Sequence, residues 1–180
     1  ATEETRAVAQ CVKALRGEAG SSVKLQVRRA GMADEIPYQL TRATVHVRSV
    51  PPGNLFTGGI GYISLNPVAE SSTEELTAEM DRMLGKGMKS LILDLRGNPG
   101  GLLDQGVKVA DLFLDPKQEI VATRGRARGA TKTFVDGAPQ AWGSLPIVAL
   151  VHDGSASAAE IISGACPTAG RALVVVLPAS

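Results

Sequence analysis

Hydrophobic positions recur along this chain in two rhythms, one helical and one alternating. Val8, Cys11, Val12 and Leu15 fall at helical spacing after Thr2, a residue suited to capping, so residues 2–16 are predicted as an amphipathic helix that Gly17 and Gly20 stop. Val23, Leu25 and Val27 alternate with polar neighbours and predict a half-buried strand over 22–28, with a second near 36–40 after a turn at Gly31. Pro51-Pro52-Gly53 resists both helix and central strand and predicts a linker, with a new domain beginning there. Next come a strand over 60–65 and a helix opened by Ser72 and Glu75 at capping-box spacing. Leu76, Met80, Met83 and Leu84 share one face of that helix, and Gly85 and Gly87 close it. The run 90–95 is almost continuously apolar, the mark of a parallel strand covered on both faces. A helix over 103–114, strands over 119–124 and 131–135, a buried strand over 146–151, a helix over 156–164 and a third buried strand over 171–177 complete a βαβ succession.

Composition narrows the classes this pattern allows. The 180 residues are 44% hydrophobic and 21% charged, enough to bury a core, and 19 Lys and Arg against 18 Asp and Glu give no strong field. That near-balance disfavours a general grip on nucleic acid, and 3% aromatics leave no stacking platform for single strands. Cys11, Cys166, His46 and His152 have no recognised zinc spacing, so no metal is expected and both cysteines are read as ordinary thiols. The longest apolar run, 147–151, is strand-sized and far from the roughly 18 residues that would span a bilayer. One helix and two or three strands before the linker are too little for an independent core, which predicts a further segment before Ala1.

Two places carry candidate chemistry, each where a buried strand ends and a helix begins, the edge at which open α/β sheets collect ligands. In Leu93-Asp-Leu-Arg-Gly-Asn-Pro-Gly-Gly-Leu102, the glycines at 97, 100 and 101 permit a turn whose N–H groups point at a bound group; the alternative is a plain tight turn. No Gly-Lys-Ser/Thr follows, so this is not a phosphate cradle. In Val151-His-Asp-Gly-Ser-Ala-Ser-Ala-Ala-Glu-Ile161, a serine would stand at the positive end of a helix with free N–H groups beside it, which suits a nucleophile; the alternative is that Ser155 or Ser157 only caps the helix. His152 and Asp153 are a weak candidate for the rest of a triad with Ser157. Arg124, Arg126, Arg128 and Lys132 read as a solvated hairpin tip, and Trp142 as a packed anchor.

Three of these stretches, 93–103, 109–114 (Val-Ala-Asp-Leu-Phe-Leu) and 154–161, resemble in order and separation the carboxy-terminal processing peptidases, the tail-specific serine proteases of family S41. The resemblance implies an α/β fold: a crotonase-like (ClpP-like) peptidase core over 51–180, preceded over 1–50 by the C-terminal half of a PDZ-like domain. It implies a serine endopeptidase without metal or organic cofactor, with Ser157 as nucleophile and the N–H groups of Ala158 and of the Gly100–Gly101 turn as oxyanion hole. The general base it implies is a lysine about twenty-five residues after the serine, which places it just past Ser180. Val8, Val12 and Leu15 would line the groove that takes a substrate's apolar C-terminal tail as an added strand, although such residues are more often core. A periplasmic, extracellular or thylakoid-lumen location follows from the family, any membrane association would come from segments outside this chain, and no nucleic-acid partner is expected.

Pro167-Thr168 and Val176-Leu177 depart from the family's pattern, and Pro167 is expected to interrupt or end the helix after Ser157. Glu160 is read as N-terminal helix charge. Two rivals share the fold: a peptide-binding pseudoprotease without catalysis, and a crotonase-type enzyme, for which the sequence has no sign of a coenzyme A pocket.

Overall fold

Parallel strands flanked by helices are the solution for apolar runs separated by amphipathic segments, and this chain adopts it after a smaller N-terminal unit. The computed structural model describes residues 10–46, 48–126, 131–137 and 139–178. The chain divides into two units, Ala1–His46 and Val47–Ser180.

In the first unit, helix α1 covers the described residues 10–15, and β1 (Ser22–Val27) pairs antiparallel with β2 (Ile36–Thr41), Ser22 opposite Thr41. Arg42 ties these parts together. Its guanidinium donates to the carbonyls of Leu15 at 2.8 Å, Ala14 at 3.1 Å and Ser22 at 3.0 Å, and to Ser21 Oγ at 2.9 Å. The last carbonyls of a helix have no intrahelical donor, so a cation there satisfies both their hydrogen bonds and the helix dipole. None of the described residues of this unit is buried; Val12 and Leu15 are 40% and 46% exposed, so neither is a core residue here. Thr2 and Val8 lie outside the described residues.

The second unit is built on a five-stranded sheet ordered β3-β4-β5-β8-β9. β3 (Asn54–Phe56) runs antiparallel to β4 (Ile60–Ser64), while β4, β5 (Ser90–Asp94), β8 (Ile147–Val151) and β9 (Leu173–Val176) are parallel. The crossovers are α2 (Ser72–Leu84), α3 (Leu103–Asp111) and α4 (Ala158–Thr168), and a hairpin of β6 (Glu119–Thr123) and β7 (Lys132–Val135) follows α3. Ile63, Leu91 and Leu93 point into the core with Leu76, Met80 and Met83 of α2, all at most 1% exposed. Trp142 packs on this core as an anchor, its ring 5.7 Å from that of Phe113. Arg128 of the hairpin tip lies outside the described residues.

Several sequence expectations shift. β9 is not buried: among the described residues it has only β8 beside it, and Leu173 and Val176 are 66% and 71% exposed. β3 has too few residues for a periodic signal and was not predicted. The Ser72–Glu75 capping box is not formed, because the cap of α2 is Ser71, one residue earlier, and Glu75 reaches instead to the buried loop at Ser49 and Val50. Its carboxylate accepts from Ser71 Oγ at 2.8 Å and from the N–H groups of Ser49 and Val50 at 2.8 and 2.9 Å. This also bears on the reading of Pro51-Pro52-Gly53 as a linker. Ser49 and Val50 are buried, Gly53 N–H donates to Glu79, and Arg82 donates to Gly53 O at 3.2 Å, so the segment is fastened to α2. Pro167 sits in the last turn of α4, which ends one residue later at Thr168.

Candidate active site

β5 and β8 are adjacent and parallel, with Leu93 opposite Ala149, so the turns that leave their C-terminal ends must emerge side by side. The first turn runs from Leu95 to Leu102 and the second from His152 to Ser157. Ser155 Oγ donates to Leu95 O at 2.7 Å and accepts the N–H of His152 at 3.1 Å, and Ala156 N–H donates to Asn98 O at 3.0 Å. Behind them α3 lies close on α4, since a Cβ on Gly106 would stand 2.9 Å from Ala158 Cβ. A Cβ on Gly100 would come within 2.7 Å of Ser157 Cβ, so only glycine lets the two turns meet.

Ser155 and Ser157 differ in what their backbones and hydroxyls are doing. The Ser155 hydroxyl is spent on stitching the turns together. Ser157 is exposed and holds φ +53° and ψ −114°, a conformation shared in sign of φ, among the described non-glycine residues, only with Lys117. Such a backbone costs about 1–3 kcal/mol and is characteristic of strand-turn-helix serines displayed above a sheet. Its N–H donates to Glu160 Oε2 at 2.6 Å, a charge-assisted bond that holds the strained residue in place. Glu160 is therefore more than diffuse helix charge. Glu160→Ala is expected to lower stability in urea unfolding by about 1 kcal/mol, the usual cost of a lost cap, and Glu160→Gln, which keeps an acceptor, by clearly less. Equal stability of all three proteins would return Glu160 to the role of a solvated charge.

The N–H groups around Ser157 can be followed one by one. Asn98 donates to Leu95 O, Gly100 to Asn98 Oδ1 at 2.8 Å, Leu102 to Val68 O, Ser155 to His152 O, Ala156 to Asn98 O, Ser157 to Glu160, and Ala159 to Ala156 O. Pro99 has no N–H. Within residues 98–102 and 155–159, the two left without an acceptor among the described residues are those of Gly101 and Ala158; further along the turns the N–H groups of Gly97 and Asp153 also have none. Gly100, expected to share the oxyanion role, has its N–H taken by the Asn98 side chain and contributes its missing Cβ instead.

The other candidates fall away on geometry. His152 Nδ1 accepts the N–H of Gly154 at 2.8 Å, which in neutral imidazole leaves the proton on Nε2 and no lone pair to serve a hydroxyl. Asp153 stands 3.6 Å from the same Nδ1 and is exposed, a surface pair rather than a triad. Burial pushes the Cys166 thiol up to about 11, which keeps it protonated and inert. Among the described residues no three His, Cys, Asp or Glu side chains gather to hold a metal.

A charged cluster that the sequence reading missed braces the first turn. Asp94, 6% exposed, accepts from Tyr62 Oη at 2.5 Å and from the Arg96 guanidinium at 2.6 to 3.0 Å, and its Oδ1 takes Arg96 N–H at 2.9 Å. Burial alone would raise the Asp94 carboxyl, but the bonds from Arg96 and Tyr62 outweigh it and hold it below its ordinary value. The hydrogen bond to Asp94 raises the Tyr62 phenol and, more strongly, the Arg96 guanidinium. No periodicity signals such a pairing; only the adjacency of β4 and β5 brings Tyr62 to Asp94.

The profile of peptidase family S41 matches residues 59–176, which hold both turns. The chain belongs to peptidase family S41. This S41 chain is 36% identical over 158 residues, 88% of its length, to the carboxy-terminal processing protease CtpA of Bacillus subtilis, and 35% identical over 170 residues to the carboxy-terminal-processing protease of Bartonella bacilliformis. It spans only 33% and 38% of those relatives' lengths. Among solved structures it resembles the photosystem II D1 C-terminal processing protease, with a TM-score of 0.62 and 26% identity over 93% of this chain and 46% of that one. Ser157, Gly100, Gly101 and Ala158 all lie inside the S41 segment, whereas Val8, Val12 and Leu15 lie before it.

Proposed function

We propose that the protein is a serine endopeptidase that cuts protein substrates near their C-termini through an acyl-enzyme on Ser157. The observation that carries this reading is the pair of N–H groups, Gly101 and Ala158, left without acceptors in two turns that meet where Gly100 approaches a serine held at φ +53°. Ser157 Oγ attacks the scissile carbonyl, the carbonyl oxygen becomes an oxyanion between those two donors, and the C–N bond breaks as the amine takes a proton. Water then attacks the ester and returns Ser157 to its free form. The general base is a lysine about twenty-five residues after the serine, beyond Ser180, whose neutral amine takes the hydroxyl proton once burial has lowered its pKa.

The N-terminal unit is proposed as the later half of a PDZ-like domain, in which Val8, Val12 and Leu15 would meet an apolar tail added as a strand. The exposed apolar surface of Val12 and Leu15 supports this. Substrates of this kind agree with a location outside the cytoplasm, in a periplasm, an extracellular space or a thylakoid lumen.

The test is to treat the full-length protein with a fluorophosphonate and map the modified peptide. The label is expected on Ser157 and absent from Ser155, and a substrate-tail peptide is expected to slow its arrival. Labelling of Ser155, or none on either serine while peptide cleavage continues, would overturn the assignment.

A further inference from the structure

Asn98 has no exposed surface, yet the chemistry proposed above gives it no part. Its amide does not fill space idly. Nδ2 donates to Leu65 O at 2.6 Å, Oδ1 accepts Gly100 N–H at 2.8 Å, and its main-chain carbonyl accepts Ala156 N–H at 3.0 Å. One residue thus ties together the end of β4, the glycine turn and the residue before Ser157. Leu65 is a firm reference point, fully buried and itself bonded through its N–H to Asp94 O at 3.0 Å.

The glycine turn needs such a reference. Gly100 and Gly101 have φ of +94° and +147°, and two consecutive residues without Cβ place little steric limit on how the peptide between them is turned. That peptide's carbonyl accepts Val68 N–H at 2.9 Å on one side, and its N–H is the free donor of Gly101. The preceding N–H, that of Gly100, would be a competing free donor beside Ser157 if Asn98 Oδ1 did not take it. Buried amide groups are almost always paired, so the pairing holds as long as the side chain is there.

We infer that Asn98 is the positioning residue of the oxyanion hole: its carboxamide removes Gly100 N–H from the site and fixes the next peptide so that Gly101 N–H works with Ala158 N–H. This rests on the serine-peptidase reading and adds to it the group that sets the geometry of the hole. Asn98 touches neither substrate nor Ser157 Oγ in this role. Its effect belongs to the transition state, where the oxygen carries charge, and not to substrate binding.

The experiment compares full-length wild type with Asn98→Ala and Asn98→Asp, reading kcat and KM separately on a tail peptide. It also reads the inhibition constant of a peptide aldehyde, whose hemiacetal oxygen would occupy the hole. Asn98→Ala is expected to lower kcat by about 10- to 100-fold, up to the scale of an ångström misplacement, with KM changed less than about threefold. The aldehyde should weaken by a similar factor, and Asn98→Asp, which keeps an acceptor for Gly100 N–H, should fall between. A folded Asn98→Ala protein with kcat within about twofold of wild type, or with the loss confined to KM, overturns the inference. Should Asn98→Ala fail to fold, amide signals of the wild type decide: the aldehyde is expected to shift Gly101 and Ala158 and leave Gly100 in place, and a Gly100 shift as large as theirs overturns it. Cleavage surviving in Ser157→Ala would instead sink the peptidase reading itself; loss there beside an unaffected Asn98→Ala sinks only this inference.

Discussion

Ser157→Ala is expected to abolish peptide hydrolysis by the full-length protein, with kcat falling by about ten-thousand-fold or more, the scale seen when a covalent nucleophile is deleted. KM for a tail peptide should stay close to wild type, because the hydroxyl's contribution is made in the transition state. Stability supplies an independent check. Ser157 caps α4, its side chain taking part in a capping box with Glu160, and φ +53° suits alanine no better than serine, so Ser157→Ala should lose about 1 kcal/mol, the usual cost of a lost cap. Ser157→Gly should be inactive yet more stable than Ser157→Ala by about 1 kcal/mol, since glycine adopts that backbone without strain. Activity measured with a tail peptide and unfolding midpoints on the three proteins test both halves. A catalytically competent Ser157→Ala, or a Ser157→Gly less stable than Ser157→Ala, would show that the conformation is not strain held for chemistry.

How much of this site could be read beforehand depends on how local its signals are. The strand ends and the glycine turns were legible because an apolar run that stops at Gly-rich sequence has few other structures available. Ser157 could be singled out from Ser155 only through a family resemblance, since both precede a helix in small-residue sequence. What separates them is the contacts each makes in the fold: Ser155 Oγ reaches Leu95 O across sixty positions of sequence, and Ser157 N–H is held by a carboxylate three residues on. The same holds for Gly100 and Gly101, which look equivalent in sequence until Asn98 claims one of their N–H groups. Likewise, Glu75 matched a helix-capping pattern, but the structure gives it to Ser49 and Val50, because a buried loop with unpaired N–H groups has more to gain from a carboxylate than an exposed helix end does. β9 reads as a buried strand because its four residues, Leu173 to Val176, are all apolar, and nothing in its own residues says that it has a single neighbour among the described residues.

Gly101→Ala is the substitution expected to damage the oxyanion hole most directly. An alanine Cβ there would stand 1.9 Å from Val68 O and 2.8 Å from Val68 C, both main-chain atoms of a segment that cannot swing aside as a side chain would. The φ of +147° adds backbone strain that any L-residue would feel. Relief requires breaking the bridge in which Val68 N–H donates to Gly100 O and Leu102 N–H to Val68 O, and that bridge is what holds Gly101 N–H in position. The expected result is a fall in kcat/KM of about 100- to 1,000-fold, the scale of a lost oxyanion donor, together with a lower unfolding midpoint and slower fluorophosphonate labelling of Ser157. Gly164→Ala is the matched control. It lies inside α4, where an added Cβ meets nothing within 4 Å, so it should raise stability by about 0.5–1 kcal/mol and leave turnover unchanged. If Gly101→Ala lowered stability while kcat/KM held within a few-fold of wild type, Gly101 N–H would not be a donor to the reacting oxygen, and the hole would have to be assigned to Ala158 with a different partner.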